Sequence, residues 1–312
     1  MGIDLGGSHA AAGLVDGDGR VLARARIPLQ ATADPLAVAD VLAGLVAGIC
    51  RDGDRPLEAV TGIGVGVPGG VDPAGTHILH APNLGWRQVP FAELLATRLG
   101  VPPGGPAAIT LDNDANCAAV GEHWAGAGRG SAHMVCVTLG TGVGAGLILN
   151  GRLYRGGFGL AGELGHVPLA RGGGSAAEGP ACGCGLRGCF ETAASARALA
   201  EAAGTLGRGD ARAALAAADA GDERARAAEQ RFLDALADGL ATVIDLLDPE
   251  RIVIAGGLAG RGRALLDPLR RRLAERTFLS GLRLPELVTG RLGDAAGIAG
   301  AAALVLEPAY GR

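Results

Sequence analysis

The sequence predicts an α/β protein of two domains. Three observations lead there: continuous apolar strands that end in polar or glycine-rich turns and run into helices, a strand, glycine turn, strand unit that occurs twice, and a length of 312 residues with 48% hydrophobic content, enough for two cores. Every one of the 28 basic residues is arginine. The formal net charge is -4 and the pI about 5.9, with no basic stripe along any expected helix. That excludes a nucleic-acid surface and an anionic-membrane surface, and points to a small-molecule partner. The opening Met1-Gly2-Ile3-Asp4, without a basic patch or an apolar run, gives no expectation of a targeting segment. The longest uncharged run, 130–151, is rich in glycine and reads as strand, turn, strand instead of a membrane span.

In chain order, residues 1–29 read as a β-meander, with a glycine turn at Gly6, Gly7 and Ser8 and an Asp-Gly hairpin at 16–19. Backbone N–H groups in the first turn can cradle phosphate while Asp4 holds a magnesium ion, and a plain hairpin is the alternative. Residues 35–51 carry helical spacing and 60–67 is a buried strand. A turn at 83–86 precedes a helix at 91–99, and a second buried strand at 107–111 ends in Asp112, Asn113 and Asp114, ahead of a helix at 115–125. Three polar residues at the carboxyl end of a parallel strand mark ligand chemistry, although one of them would also serve as a helix cap.

Residues 135–149 repeat the opening unit, with Gly140, Thr141 and Gly142 as a second phosphate-gripping turn, which suggests two similar halves facing one cleft. Helices are expected at 192–203 and 224–247, with surface helix in 205–223. The strand 252–255 ends in Gly256 and Gly257, where a nucleotide base or ribose can come close to the backbone, or where the chain simply turns into the helix 263–276. A terminal helix opens at 292–297 and is expected to cross back onto the first domain.

The densest chemistry lies between Glu163 and Glu191. His166, Cys182, Cys184 and Cys189 form a His…Cys-x-Cys-x4-Cys set around a glycine-rich loop at 172–180. Thiolate and imidazole in a set of four suit tetrahedral zinc, with no position left for an activated water, so the expected Zn2+ is structural. Ordinary core cysteines are the alternative, but Gly183, Gly185 and Gly188 make a poor core strand. Glu163 and Glu191 flank the set as candidates for gripping a polar ligand. With Cys50, Cys117 and Cys136 in apolar segments, cysteine usage is that of reduced thiols, hence cytoplasmic.

Taken together, Asp4 to Ser8, Val65 to Gly69, Asn83 to Trp86, Asn113 to Asn116, Leu139 to Gly144, Glu163 to His166, Cys182 to Glu191 and Gly256-Gly257 resemble the ROK family of the actin/hexokinase-like (ribonuclease H-like) fold, most closely its zinc-containing bacterial glucokinases. The likeness covers nearly all of the chain. It implies a two-domain fold with a cleft between the domains: residues 1–116 completed by 294–312, and 117–293 carrying the zinc loop. It implies ATP-dependent phosphorylation of the 6-hydroxyl of a hexose, glucose first, at the head of glycolysis. Fructose, mannose, an N-acetylhexosamine or a valiolone-like cyclitol are alternative substrates.

By the same resemblance Asp114 is the general base, and Gly66, Asn113, Glu163, His166 and Glu191 bind the sugar. Asp4, Gly6, Gly7, Ser8, Gly140, Thr141, Gly142, Gly256 and Gly257 bind ATP and Mg2+. A homodimer or dimer of dimers is implied. The phosphate turn departs from the family's usual Thr-Lys in having Ser8-His9, and the loop from His166 to Cys182 is long. The family's sugar-responsive repressors carry a helix-turn-helix domain before this turn; with the turn at Asp4, no room for one is expected. A sugar-sensing protein without catalysis is the remaining alternative, opposed by the retained Asp114.

Overall fold

A computed structural model describes residues 1–29, 34–102, 107–169, 175–205 and 210–311. The chain divides into two compact units, residues 1–132 with 146–162 and 291–312, and residues 133–145 with 163–290.

The first unit opens with the expected meander, β1 (Gly2–Leu5), β2 (His9–Val15) and β3 (Val21–Pro28), followed by α1 (Pro35–Asp52) and β4 (Ile63–Val67). The strand expected at 60–67 starts three residues late, because Leu57–Ala59 closes a short 3-10 turn first. A small antiparallel sheet follows, β5 (Gly70–Val71), β6 (Ile78–Ala81) and β7 (Trp86–Val89), which hydrophobic spacing does not announce. Next come α2 (Phe91–Leu99), β8 (Ile109–Asn113) and α3 (Asp114–Trp124). The main sheet has the order β3-β2-β1-β4-β8, with β1, β4 and β8 parallel, so Asp4, Gly66 and Asp112 lie side by side across it.

In the second half of the chain, β9 (Met134–Leu139), β10 (Val143–Leu149) and β11 (Arg152–Tyr154) precede the metal-ligand loop. The helix expected at 192–203 is two, α4 (Glu191–Ala194) and α5 (Ala196–Ala203). Between them Ser195 is extended and caps α5 by accepting from Ala198 N at 3.1 Å. Of the expected surface helix at 205–223, residues 206–209 lie outside the described residues. The remainder forms α6 (Asp210–Asp219), which buries Ala211, Ala214, Leu215 and Ala218 and exposes Arg212, Ala216 and Asp219, the one-sided pattern of the surface helix expected there. Then come α7 (Glu223–Leu247), β12 (Arg251–Ala255), α8 (Arg263–Leu273) and β13 (Glu286–Thr289). The second sheet has the order β11-β10-β9-β12-β13, with β9, β12 and β13 parallel. The chain ends with α9 (Ala296–Leu306).

The boundary expected at residue 116 lies instead after Ala132, because α3 belongs wholly to the first unit, packed on α9. Small residues make that packing possible. A Cβ at Gly121 would sit 2.2 Å from Ala296 O and one at Gly300 1.6 Å from Cys117 O. Under α9, Cβ atoms at Gly2 and Gly64 would strike the carbonyls of Ile298 and Ala301. An apolar helix without a polar face is stable only where it is covered, and α9 is buried from Ala296 to Leu304. Residues 146–162 join the same unit, since Gly146 packs against Ala119 of α3. Among the described residues no helix is long and apolar enough to cross a membrane.

Candidate functional site

In the first unit the polar run at the end of β8 separates into three jobs. Asp112 is fully buried. Its Oδ1 accepts from Asn113 N (2.8 Å) and Asn116 Nδ2 (2.9 Å), and its Oδ2 pairs with Arg155 Nε at 2.6 Å. Asn113, and not Asp114, is the N-cap of α3: its Oδ1 accepts from Ala115 N (2.9 Å) and Asn116 N (3.1 Å), and its Nδ2 donates to Gly69 O (3.1 Å). An amide has two acceptor lone pairs and two N–H donors. Both lone pairs and one hydrogen are thus engaged, leaving one N–H on Asn113. Asp114 opens the first turn of α3, half-buried, with Oδ1 accepting from Ala115 N at 2.8 Å.

Gly66 is buried beneath this turn. A Cβ there would meet Cys117 Sγ at 3.1 Å and Asp114 Cα at 3.5 Å, so glycine lets the helix start approach the sheet. Asp4, one strand over, has its carboxyl pushed above the usual range by burial, with His9 and Arg26 acting in the opposite direction. In the turn after it, Gly6 N donates to His9 O at 2.9 Å, while Gly7 and Ser8 are exposed.

In the second unit, Gly140 to Gly142 joins β9 to β10, and Gly256 and Gly257 follow β12. Because β9 and β12 are parallel neighbours, with Ala255 opposite Thr138, the two glycine turns lie at the same sheet edge. Gly256 has φ +84°, and a Cβ on it would lie 2.5 Å from Leu139 O. Gly140 N is taken by Gly142 O at 3.0 Å, whereas Thr141 and Gly257 are exposed.

Glu191 ties this edge to the cysteine set. Its Oε2 accepts from Val143 N at 2.9 Å and its Oε1 lies 3.9 Å from Cys182 Sγ. A Cβ on Gly142 would sit 2.2 Å from Glu191 Oε2, so glycine at 142 is what admits the carboxylate. Gly165 similarly lets the turn at Glu163 to His166 close on Val143 O, 2.2 Å from its missing Cβ. Burial, with the charge of Glu191 added, raises the Glu163 carboxyl above its ordinary range, opposed by His166.

The four expected metal ligands converge, all ligand atoms lying within 4.8 Å of one another. The loop is held by backbone bonds from Cys182 N to Leu186 O (2.8 Å), Leu169 N to Gly188 O (2.8 Å) and Phe190 N to Val167 O (2.9 Å). Gly185 and Gly188 take positive φ. Of the glycine-rich loop 172–180, residues 172–174 lie outside the described residues. Tetrahedral bonds of about 2.3 Å to sulfur and about 2.0 Å to nitrogen require edges of about 3.8 Å between sulfurs and about 3.5 Å from sulfur to nitrogen. The distances are 3.7 Å for Cys184 Sγ to Cys189 Sγ and 3.6 Å for Cys182 Sγ to His166 Nδ1. The donor set therefore fits such an ion. His166 turns Nδ1 to the sulfurs and Nε2 outward, 3.9 Å from Glu163 Oε2.

Two features here have no signal in local spacing. The bond from Val143 N to Glu191 joins residues 48 apart, and the pair of Arg155 with Asp112 joins residues 43 apart. The glycine at 142 and an arginine ahead of the glycines at 156 and 157 were the only marks in the sequence.

Residues 1–308 match the ROK family. The chain is 33% identical to the glucokinase of Streptomyces coelicolor over 99% of its own length and 98% of that protein, and 35% identical to the glucokinase of Thermotoga maritima over 98% and 97%. Among solved structures it is similar to a ROK family glucokinase from Streptomyces griseus in complex with glucose and AMPPNP, with 33% identity, 97% of each chain covered and a TM-score of 0.83. The α/β fold is thus the actin/hexokinase-like one.

Proposed function

The chain belongs to the ROK family, and from that premise we propose that it is an ATP-dependent sugar kinase that phosphorylates the 6-hydroxyl of a hexose, glucose above others. The observation that carries the reading is the division of labour at the start of α3. Asn113 caps the helix, which leaves Asp114 at the carboxyl end of a parallel strand with a carboxylate suited to taking a proton. Likeness to a glucokinase that holds glucose and a nucleotide analogue supports both substrates.

In this reading Asp114 Oδ accepts the proton of the 6-hydroxyl as its oxygen bonds to the γ-phosphorus and ADP leaves. The remaining Asn113 N–H donates to a sugar oxygen. Glu163 and Glu191, acceptors when ionised, take sugar hydroxyl protons as hydrogen bonds, and His166 Nε2–H donates to another oxygen. Gly66, buried in β4, serves the site by letting the start of α3 approach the sheet. The turns at Gly6, Gly7 and Ser8 and at Gly140, Thr141 and Gly142 hold phosphates, Gly256 and Gly257 let the nucleoside approach, and Asp4 would hold Mg2+. That ion, when bound, neutralises charge on the phosphates.

Structural Zn2+ on His166 Nδ1, Cys182, Cys184 and Cys189 would fix the imidazole tautomer, so that Nε2 carries the proton. A cytoplasmic homodimer or dimer of dimers completes the proposal. The test is an ADP-release assay with glucose, fructose, mannose, N-acetylglucosamine and a valiolone-like cyclitol. The highest kcat/KM is expected with glucose, and ADP release no faster than without sugar for all of them would refute the kinase reading.

A further inference from the structure

The first unit contains an ion pair, one partner buried and the other largely covered, that the kinase reading does not use. Arg155 lies in the turn after β11, its side chain largely covered, and its guanidinium makes three separate contacts: Nε to Asp112 Oδ2 at 2.6 Å, Nη1 to Gly311 O at 3.3 Å, and Nη2 to Tyr310 O. Asp112 spends its other oxygen on Asn113 N and Asn116 Nδ2, the residues on either side of the first turn that carries Asp114. Asn116 is itself buried, and its Oδ1 has no partner among the described residues, so its amide is held only through Nδ2.

The far end of this network is fixed at the other end of the same helix. Tyr310 is buried and its hydroxyl lies 2.7 Å from His123 Nδ1, while His123 Nε2 lies 2.7 Å from Ser131 O. A carbonyl only accepts, so Nε2 carries the hydrogen and Nδ1 accepts from the tyrosine. The rings also meet edge to face at 5.7 Å. The segment at 310–311 is thus tied to the last turn of α3 by a side chain and to the strand end before its first turn by backbone carbonyls.

We propose that Arg155 is a positioning residue for Asp114: its planar fork joins Asp112 to the carbonyls of Tyr310 and Gly311 and so fixes the turn from which the base works, making the segment at 310–311 part of the catalytic apparatus. The proposal rests on the kinase reading. A fork of fixed donors can meet three acceptors in one plane, whereas an ammonium is a single point of charge on a flexible stem. Lysine keeps the buried charge and loses the geometry.

The experiment compares Arg155→Lys with wild type in ADP release at varied glucose, and repeats the comparison in the Asp114→Asn background. A base displaced by a fraction of an ångström to 1 Å should lower kcat about 10- to 100-fold. Glucose KM should change by less than about threefold, since Asn113 keeps its own anchor at Gly69 O. With the base already removed, Arg155→Lys should change kcat by less than about twofold, a non-additivity that a residue serving only stability would not produce. Should Arg155→Lys fail to fold, the neutral pair Arg155→Gln with Asp112→Asn removes both charges together and leaves none orphaned; the same loss of kcat is expected. Wild-type kcat in any folded variant, or equal fold-losses with and without Asp114, overturns the proposal alone. A wild-type chain inactive on every sugar overturns the kinase reading and the proposal with it.

Discussion

Replacing Asp114 with asparagine separates the catalytic role from a structural one, because the structure assigns the cap of α3 to its neighbour. Asparagine keeps an acceptor oxygen for Ala115 N, which Asp114 Oδ1 meets at 2.8 Å, and Asn113 keeps its bonds to Ala115 N and Asn116 N. What is lost in the folded state is one negative charge in the first turn, worth about 0.3–1 kcal/mol. For a chain of this size that shifts Tm by no more than about 4 °C. What is lost in the reaction is a proton acceptor, typically about 10²- to 10⁴-fold in rate, or about 3–5 kcal/mol of barrier. The kinetic effect therefore exceeds the stability effect severalfold. Asn113→Ala should show the opposite balance: it removes the cap, at a cost of about 0.5–2 kcal/mol, and the bond to Gly69 O, so it should melt earlier than Asp114→Asn and weaken sugar binding. The assays are steady-state ADP release at saturating glucose and ATP, thermal melts, and glucose titration by calorimetry. If Asp114→Asn keeps kcat within about threefold of wild type, or loses it only in step with unfolding, the reasoning fails.

Purified wild type should carry about one zinc per chain, and Cys184→Ser should lose most of it together with stability and sugar affinity, as read by metal analysis and melting; full zinc with native affinity would contradict the ligand set. Gly142→Ala should raise glucose KM by about tenfold with a smaller change in kcat, because the new methyl, 2.2 Å from Glu191 Oε2, must move that carboxylate off Val143 N. Asp4→Asn should lower turnover yet raise Tm at neutral pH. Burial lifts the folded-state pKa of Asp4 above its unfolded value of about 3.9, so its contribution to stability is present in acid and lost as pH rises through the folded value. The melting advantage of the variant should therefore grow from about pH 4 upward, and a difference that shrinks with rising pH would refute the assignment.

What the sequence made legible was local in the chain. The metal set lies within 24 residues, and its ligand types and glycines carry their own chemistry, so spacing sufficed to bring all four together. The parallel strands ending in Asp112 to Asp114 and in Gly256-Gly257 were readable because a buried strand is a continuous apolar run. Strands of two to four residues, such as β5, β6 and β7, are too short to establish a period. Composition could not say which of three adjacent polar residues caps α3, because aspartate and asparagine cap equally well and only the backbone turn decides. The unit boundary was misplaced for a related reason. The glycines at 121 and 300 that let α3 and α9 touch lie far apart in sequence, and either alone reads as an ordinary weak point in a helix. The bond of Glu191 to Val143 and the pair of Arg155 with Asp112 are likewise products of the fold.

In the proposed reaction a phosphoryl group passes to the 6-hydroxyl of a hexose. Phosphorus and carbon NMR of the product from the protein, Mg2+-ATP and uniformly ¹³C-labelled glucose tests it most directly. ADP and a sugar monoester whose phosphorus couples to carbon 6 are expected, formed by wild type and formed at least about a hundredfold more slowly by Asp114→Asn. A phosphate on carbon 1, inorganic phosphate as the only product, or a variant as fast as wild type would contradict it.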